Sequence, residues 1–342
     1  MIIFFGAKKM AVTIKDVAKH AGVSVCTVSR VLNNTYRNKV SAQTRKRVLE
    51  VSEELGYRPS IIARGLKGKT TNLVGYVVPN VASSFLANTL MGIQKTAEDY
   101  GYSILVYTTM GDIAKDIEYL RILKEKRVDG ILWLPLQQII HDIYQEVAEE
   151  TKLIQIYNSL EGIDAPSFLV DHYKGGYLAT KHLLEKGHTK IAHLSAPNTL
   201  DRHGLQRLSG YKQALEEKGI KPDDSIIVES GYSWQGGYKA AKSLFSKPYS
   251  HTPTAIFAVT DMVAWGALRY IKEKGMKIPE DVAIVGYDNL DIAEKVDPPL
   301  TTVSQPKEEL GKIAMDHLLQ AIRGKPISSM LFDPELVVRS ST

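Results

Sequence analysis

The residues of this chain that could do chemistry gather directly behind short β-branched runs. Ser84 and Phe85 follow Leu73–Val78, Arg207 follows Ile191–Leu194, and Tyr232 with Trp234 follow Ile226–Glu229. Asp261 follows Ala255–Val259, and Asp288 follows Ala283–Tyr287. Parallel sheets take their ligands at the carboxyl ends of their strands. An arginine and carboxylates can fix the hydrogen-bonding edge of a polar ligand while aromatic faces cover its apolar side. The chemistry this predicts is the binding of a sugar or another small polar molecule, with Gln305 and Trp234 as weaker contributors. No nucleophile elbow, metal triad, paired carboxylates at one strand end, Walker A sequence or G-x-G-x-x-G behind a strand is present. The chain is therefore expected not to be an enzyme and to need no cofactor or metal.

These residues need a scaffold of strands. The runs Leu73–Val78, Ser103–Thr108, Gly130–Leu134 and Leu153–Tyr157 form one series. Ile191–Leu194, Ile226–Glu229, Ala255–Val259 and Ala283–Tyr287 form a second. Helical stretches separate most of them, which is the pattern of parallel sheets. Two such series predict two similar lobes.

The N-terminal part is built differently. Residues 1–69 hold 14 Lys and Arg against 4 Asp and Glu, while the rest is acidic, so the net charge of +5 hides a basic head. Such a head suits a polyanion. Within it, "TIKDVAKHAGVSVCTVSRVLNN" (Thr13–Asn34) contains two short amphipathic helices. Thr13 and Asp16 predict a capping box, and Gly22 the end of the first helix. Ser24 predicts the cap of the second. Val17, Ala18 and Ala21 should face Val28, Val31 and Leu32, leaving Val25, Cys26, Thr27, Ser29 and Arg30 largely outward. Ser41 opens a third helix with Val48, Val51 and Leu55 inward. Two helices across a glycine turn, the second with a polar outer face, describe a helix-turn-helix.

This stretch resembles the DNA-binding headpiece of the lactose/galactose repressor (LacI/GalR) family. The resemblance implies that the second helix enters the major groove of a near-palindromic operator. Val25, Cys26 and Arg30 then occupy base-reading positions, Thr27 and Ser29 sit at the groove edge, and Thr13 and Asn33 join the DNA-facing set. "YRPSIIARGLKGKTTN" resembles the family's hinge helix, with Leu66 as the minor-groove wedge and Lys67 beside it. "KRVDGILWLP", "HLLEKGHTKIAHL", "IPEDVAIVGYDN" and "PPLTTVSQP" resemble its effector-binding core, which looks like a periplasmic binding protein. The implied fold is α/β: an all-α helix-turn-helix headpiece and a two-lobed core with parallel sheets.

The implied organisation runs as follows: 1–10, a disordered or spurious extension; 11–57, the headpiece; 58–70, hinge helix and linker; 71–342, the effector core. Its N-lobe would comprise about 71–170 and 301–328, its C-lobe about 171–298 and 329–342. The implied function is a cytoplasmic, homodimeric regulator, a repressor, whose operator affinity a carbohydrate effector controls through Ser84, Phe85, Arg207, Tyr232, Asp261 and Asp288. Control by a phosphorylated protein partner is one alternative. A solute-binding protein is another, but it would need a signal peptide and no basic head. No apolar run is long enough to span a membrane.

Overall fold

The computed structural model describes residues 12–32, 40–57, 70–135, 142–197, 202–246 and 252–342. The expected extension 1–10, Asn33, and the hinge residues Leu66 and Lys67 lie outside the described residues. The chain divides into two compact units, Met1–Thr71 and Asn72–Thr342.

In the first unit, α1 is Ile14–Ala21, α2 is Val25–Leu32 and α3 is Ala42–Glu54. The Thr13 N–H donates to Asp16 Oδ2 at 2.8 Å, closing the α1 capping box. Gly22 ends α1 at φ 63°, a left-handed conformation that costs glycine little. Ser24 Oγ accepts from the Thr27 N–H at 3.1 Å and starts α2; Ser41 Oγ accepts from the Thr44 N–H at 3.2 Å and starts α3. Val17, Ala18, Ala21, Val28, Val31 and Val48 form the small core. Leu32, expected inward, is only partly buried against it, and so is Val25, expected outward. Val25 lies three residues before Val28, so one turn of helix carries it back to the inner face. Arg47 of α3 clasps the end of α1, its Nε–H donating to Ala21 O at 2.7 Å.

The second unit holds two sheets. Its first run is β1 (Leu73–Val78), α4 (Ser84–Asp99), β2 (Ser103–Thr108), α5 (Ile113–Glu125), β3 (Gly130–Trp133), α6 (Asp142–Glu150), β4 (Lys152–Ile156) and β5 (Ser167–Val170). The second run is α7 (His172–Glu185), β6 (Ile191–Ser195), α8 (Arg202–Glu217), β7 (Ile227–Glu229), α9 (Trp234–Phe245) and β8 (Ala255–Ala258). It continues with α10 (Asp261–Glu273), β9 (Ala283–Asp288), α11 (Asp291–Lys295) and β10 (Thr301–Ser304). The chain ends in α12 (Lys307–Ile322), β11 (Met330–Phe332) and β12 (Glu335–Val337). The N-lobe sheet runs β11-β5-β4-β3-β1-β2, all parallel. The C-lobe sheet runs β12-β10-β9-β8-β6-β7, parallel except for β12. Helices cover both faces, which is why β1 and β9 read as continuous apolar runs.

All eight expected runs are strands. The crossing points between lobes differ from the expected ones. Thr301–Ser304, placed by sequence in the N-lobe, pairs with β9 in the C-lobe sheet. Met330–Phe332, placed in the C-lobe, pairs with β5 in the N-lobe sheet. These strands are three or four residues long, and their sheet is chosen by pairing across more than a hundred residues (β11) or across a short helix (β10), not by local pattern. Helix α12 then packs on α4 of the N-lobe, where Gly92 and Gly311 let the two backbones touch.

Candidate functional site

The site is built from the C-lobe outward. Gly176 of α7 lies against the backbone of Arg207, and Gly210 of α8 against that of Tyr173; a Cβ at either would collide. This close approach brings His172, the first residue of α7, beside Arg207. Asp171 caps α7, its Oδ1 accepting from the Lys174 N–H at 2.8 Å. Arg207 is buried, with its guanidinium 3.8 Å over the Tyr287 ring and Nη1–H donating to Val259 O at 2.6 Å. Its Nη2 lies 3.9 Å from Asp288 Oδ1.

Asp288 ends β9 in an unusual conformation, φ 105°, followed by Asn289 at φ 48°. Non-glycine residues held there cost about 1–3 kcal/mol each. The surroundings repay it: the Lys307 ammonium donates to the Asp288 carbonyl and to Asn289 O at 3.2 Å, and Gln305 Nε2–H donates to Asp288 Oδ1 at 2.6 Å. Burial raises the Asp288 pKa, while Arg207, Lys307 and Gln305 pull it back. Burial likewise lowers the Lys307 pKa, against the pull of Asp288 and Asp261.

A cavity of about 300 Å³ opens in front of these groups, with Phe85, Leu134 and Tyr157 on the N-lobe side and Arg207, Tyr232 and Asp288 on the C-lobe side. Phe85 and Tyr157 pack with centroids 4.7 Å apart. A smaller cavity of about 130 Å³ adjoins it and shares Tyr157, His172 and His203 with it.

Of the residues expected to hold a ligand, Phe85, Arg207, Tyr232 and Asp288 line this one cavity, and so does Gln305. Ser84 and Asp261 need correction. Ser84 is exposed at the start of α4, and its neighbour Ser83 lines the cavity instead. Asp261 is fully buried behind the wall. Its Oδ2 accepts from the Leu290 N–H at 2.7 Å and its Oδ1 from the Thr302 hydroxyl at 2.5 Å, so it ties α10 to the turn after β9 and to β10. Burial, then Asp288, raises its pKa to about 7. Trp234 does not line the cavity; it packs on Tyr238 and Trp265.

Sequence reasoning missed Tyr157, His172 and His203. His172 stands two residues after β5, a strand outside the two series of apolar runs, so the strand-end rule does not reach it. Tyr157 closes the run Leu153–Tyr157 but sits at φ 60°, a turn the pattern does not announce.

In the first unit, the buried Val28 and Val31 fix the orientation of α2. Cys26 and Arg30 fall on the opposite face, and Cys26 is exposed. Thr27 and Ser29 flank them, half-buried.

A basic helix-turn-helix unit joined to a two-lobed core with a polar cleft defines a ligand-responsive DNA-binding regulator. The comparisons agree. The family of bacterial regulatory proteins called lacI matches residues 13–60, and the periplasmic binding protein-like domain matches 180–342. The transcriptional repressor PurR of Vibrio atlanticus (strain LGP32) is 39% identical over 334 residues, 96% of this chain and 98% of that protein. A lac repressor dimer bound to operator and the anti-inducer ONPF matches with a TM-score of 0.84 at 29% identity, covering 97% of this chain and 99% of that one. A complex of the regulator CelR with cellobiose matches with a TM-score of 0.71 at 29% identity, covering 97% and 100%. The chain belongs to the LacI family: it is a DNA-binding transcriptional regulator with a ligand-binding core, and not an enzyme.

Proposed function

We propose that this regulator is a cytoplasmic repressor that binds a near-palindromic operator as a homodimer, and that a carbohydrate held between the lobes sets its operator affinity. The observation that carries the effector class is the pairing, in one cavity, of Arg207 and Asp288 with the aromatic faces of Phe85 and Tyr232. A sugar has hydroxyls for the first pair and an apolar face for the second. The cellobiose complex of the similar CelR supports the reading. For DNA, α2 offers Cys26 and Arg30 on its outer face, and arginine makes the bidentate contact to guanine that specifies a base. Leu66 is the proposed minor-groove wedge and Lys67 its neighbour, with Thr13, Thr27, Ser29 and Asn33 completing the DNA-facing set, while Val25 packs toward the headpiece core. The effector biases two arrangements of the lobes, and the dimer transmits that bias to the operator.

Selection of DNA from a random pool should return a near-palindrome, and Arg30→Ala should relax one base position by about 1–3 kcal/mol. Thermal denaturation against D-ribose, D-glucose and cellobiose, with and without the selected DNA, tests the effector. At least one sugar should raise the midpoint and shift DNA affinity. Stabilisation by no sugar in a wide panel, alongside binding of a non-carbohydrate, would defeat the carbohydrate reading and leave the DNA reading standing.

A further inference from the structure

His172 carries a hydrogen-bonding demand that the protein does not meet by itself. Its Nδ1 faces three donor atoms: the Tyr287 hydroxyl at 3.1 Å, Arg207 Nη2 at 3.3 Å and Arg207 Nε at 3.4 Å. Arginine has no acceptor to offer. Burial raises the Tyr287 pKa, so its hydroxyl keeps its proton to give. Nδ1 is therefore an acceptor. Burial, then the charge of Arg207, holds the imidazole pKa well below its usual value, so the ring is neutral. A neutral imidazole whose Nδ1 accepts carries its proton on Nε2.

That Nε2–H is buried and has no hydrogen-bond partner among the described residues. The ring is 2% exposed, packs 4.4 Å from His203, and lines both the larger and the smaller cavity. A buried donor left unmade is costly, and native proteins keep few of them. A ligand in the cleft can supply what is missing.

We propose that His172 is a specificity-determining residue of the effector cleft, its Nε2–H donating to an acceptor oxygen of the effector at the waist where the two cavities meet. This rests on the reading that the effector occupies this cleft. The opposite end has the opposite demand. Asp288 is an acceptor, and Gln305, whose Nε2 is spent on Asp288, keeps its buried Oε1 without a partner among the described residues. Arg207 spans the two ends, touching His172 and lying 3.9 Å from Asp288. The cleft thus selects a small polyol with a ring, ether, carbonyl or hydroxyl oxygen toward His172 and hydroxyl donors toward Asp288 and Gln305. A ligand that turns an N–H or a cation toward His172 is rejected, because donor meets donor.

Two measurements decide it. In the full chain with ¹⁵N-labelled histidine, long-range ¹H–¹⁵N correlation, assigned with His172→Gln, should show the Nε2–H tautomer at neutral pH without any ligand. An Nδ1–H or doubly protonated ring would overturn the proposal whether or not the effector is a sugar. Calorimetric titration then uses the sugar of the panel that stabilises the wild type most. His172→Phe, which keeps a ring but no donor, should weaken binding by about tenfold or more, while His172→Gln, whose amide can replace the donor, should stay within about threefold. Equal affinity of wild type and the Phe variant would refute the assignment. If no sugar binds the wild type, the carbohydrate reading fails, and the tautomer alone judges His172.

Discussion

The two walls of the cleft differ in kind. The N-lobe offers Phe85, Leu86, Leu134 and Tyr157, an apolar and aromatic face. The C-lobe offers Arg207, Asp288 and His172, buried polar groups locked by one another and by Tyr287 and Val259. Polar groups preorganised on one wall can orient a ligand before the lobes close, and an apolar wall can gain contact area only as they close. On the proposed function, the difference would give recognition to the C-lobe and closure to the N-lobe.

Substitutions on the two walls should separate these roles. The largest effect is expected from Arg207→Met. It removes the group that spans the cleft and leaves Asp288 with Lys307 as its remaining countercharge, at a stability cost of about 3 kcal/mol. Effector binding should vanish in calorimetry, while DNA binding by the folded fraction persists. Effector binding that survives would move recognition off the C-lobe wall. Phe85→Ala on the other wall should weaken effector binding about tenfold, with a stability loss of about 1–2 kcal/mol, because Phe85 is only partly buried. If it abolished binding as Arg207→Met does, the walls would share one role.

The lobes also differ in their buried carboxylates, and pH reads each. In the C-lobe, burial and then Asp288 raise Asp261 to about 7; in the N-lobe, burial raises Asp116 to about 6 despite donors from Trp133 and Tyr144. An unfolded aspartate ionises near 3.8. Between that value and the native one, the unfolded chain has released the proton and the native chain still holds it. Stability from these groups is therefore lost as pH rises from about 4 to 6 for Asp116, and to 7 for Asp261. Denaturant midpoints of Asp261→Asn should lose the slope between 6 and 7 and part of it below 6, whereas those of Asp116→Asn should lose only part of it below 6. A slope that both variants keep would mean that neither carboxyl holds its proton.

The smallest effect is expected in the headpiece. Cys26→Ser should change stability by less than about 0.5 kcal/mol, because the side chain is exposed. In the wild type, selected operator should slow alkylation of Cys26 and unrelated DNA should not. Fast labelling on operator would take α2 out of the groove.

The headpiece was legible almost residue by residue because its signals are local. Thr13 with Asp16, Gly22, Ser24 and Ser41 each act within one helical turn. Val25 slipped because half-burial is a matter of which neighbour the helix meets. The cleft was half legible. Phe85, Arg207, Tyr232 and Asp288 follow runs whose β-pattern is strong, and they do meet. Asp261 follows an equally clear run, yet its carboxylate is spent on Leu290 and Thr302. No local pattern distinguishes a carboxylate that faces a cavity from one that faces the backbone behind it.

By itself the sequence determined the class: a basic head with a glycine turn between two short helices, and two series of apolar runs long enough to be buried on both faces. Periodicity, caps and charge act over a few residues, so they survive being read in one dimension. Only the tertiary structure decided which lobe β10 and β11 complete, that Gly176 and Gly210 press α7 onto α8, and that His172 is thereby brought to Arg207 and Tyr287. Those outcomes depend on pairings between residues 16 to 162 positions apart. Strand register and helix–helix contact fix such pairings, and short segments chosen by distant partners leave no trace in their own composition.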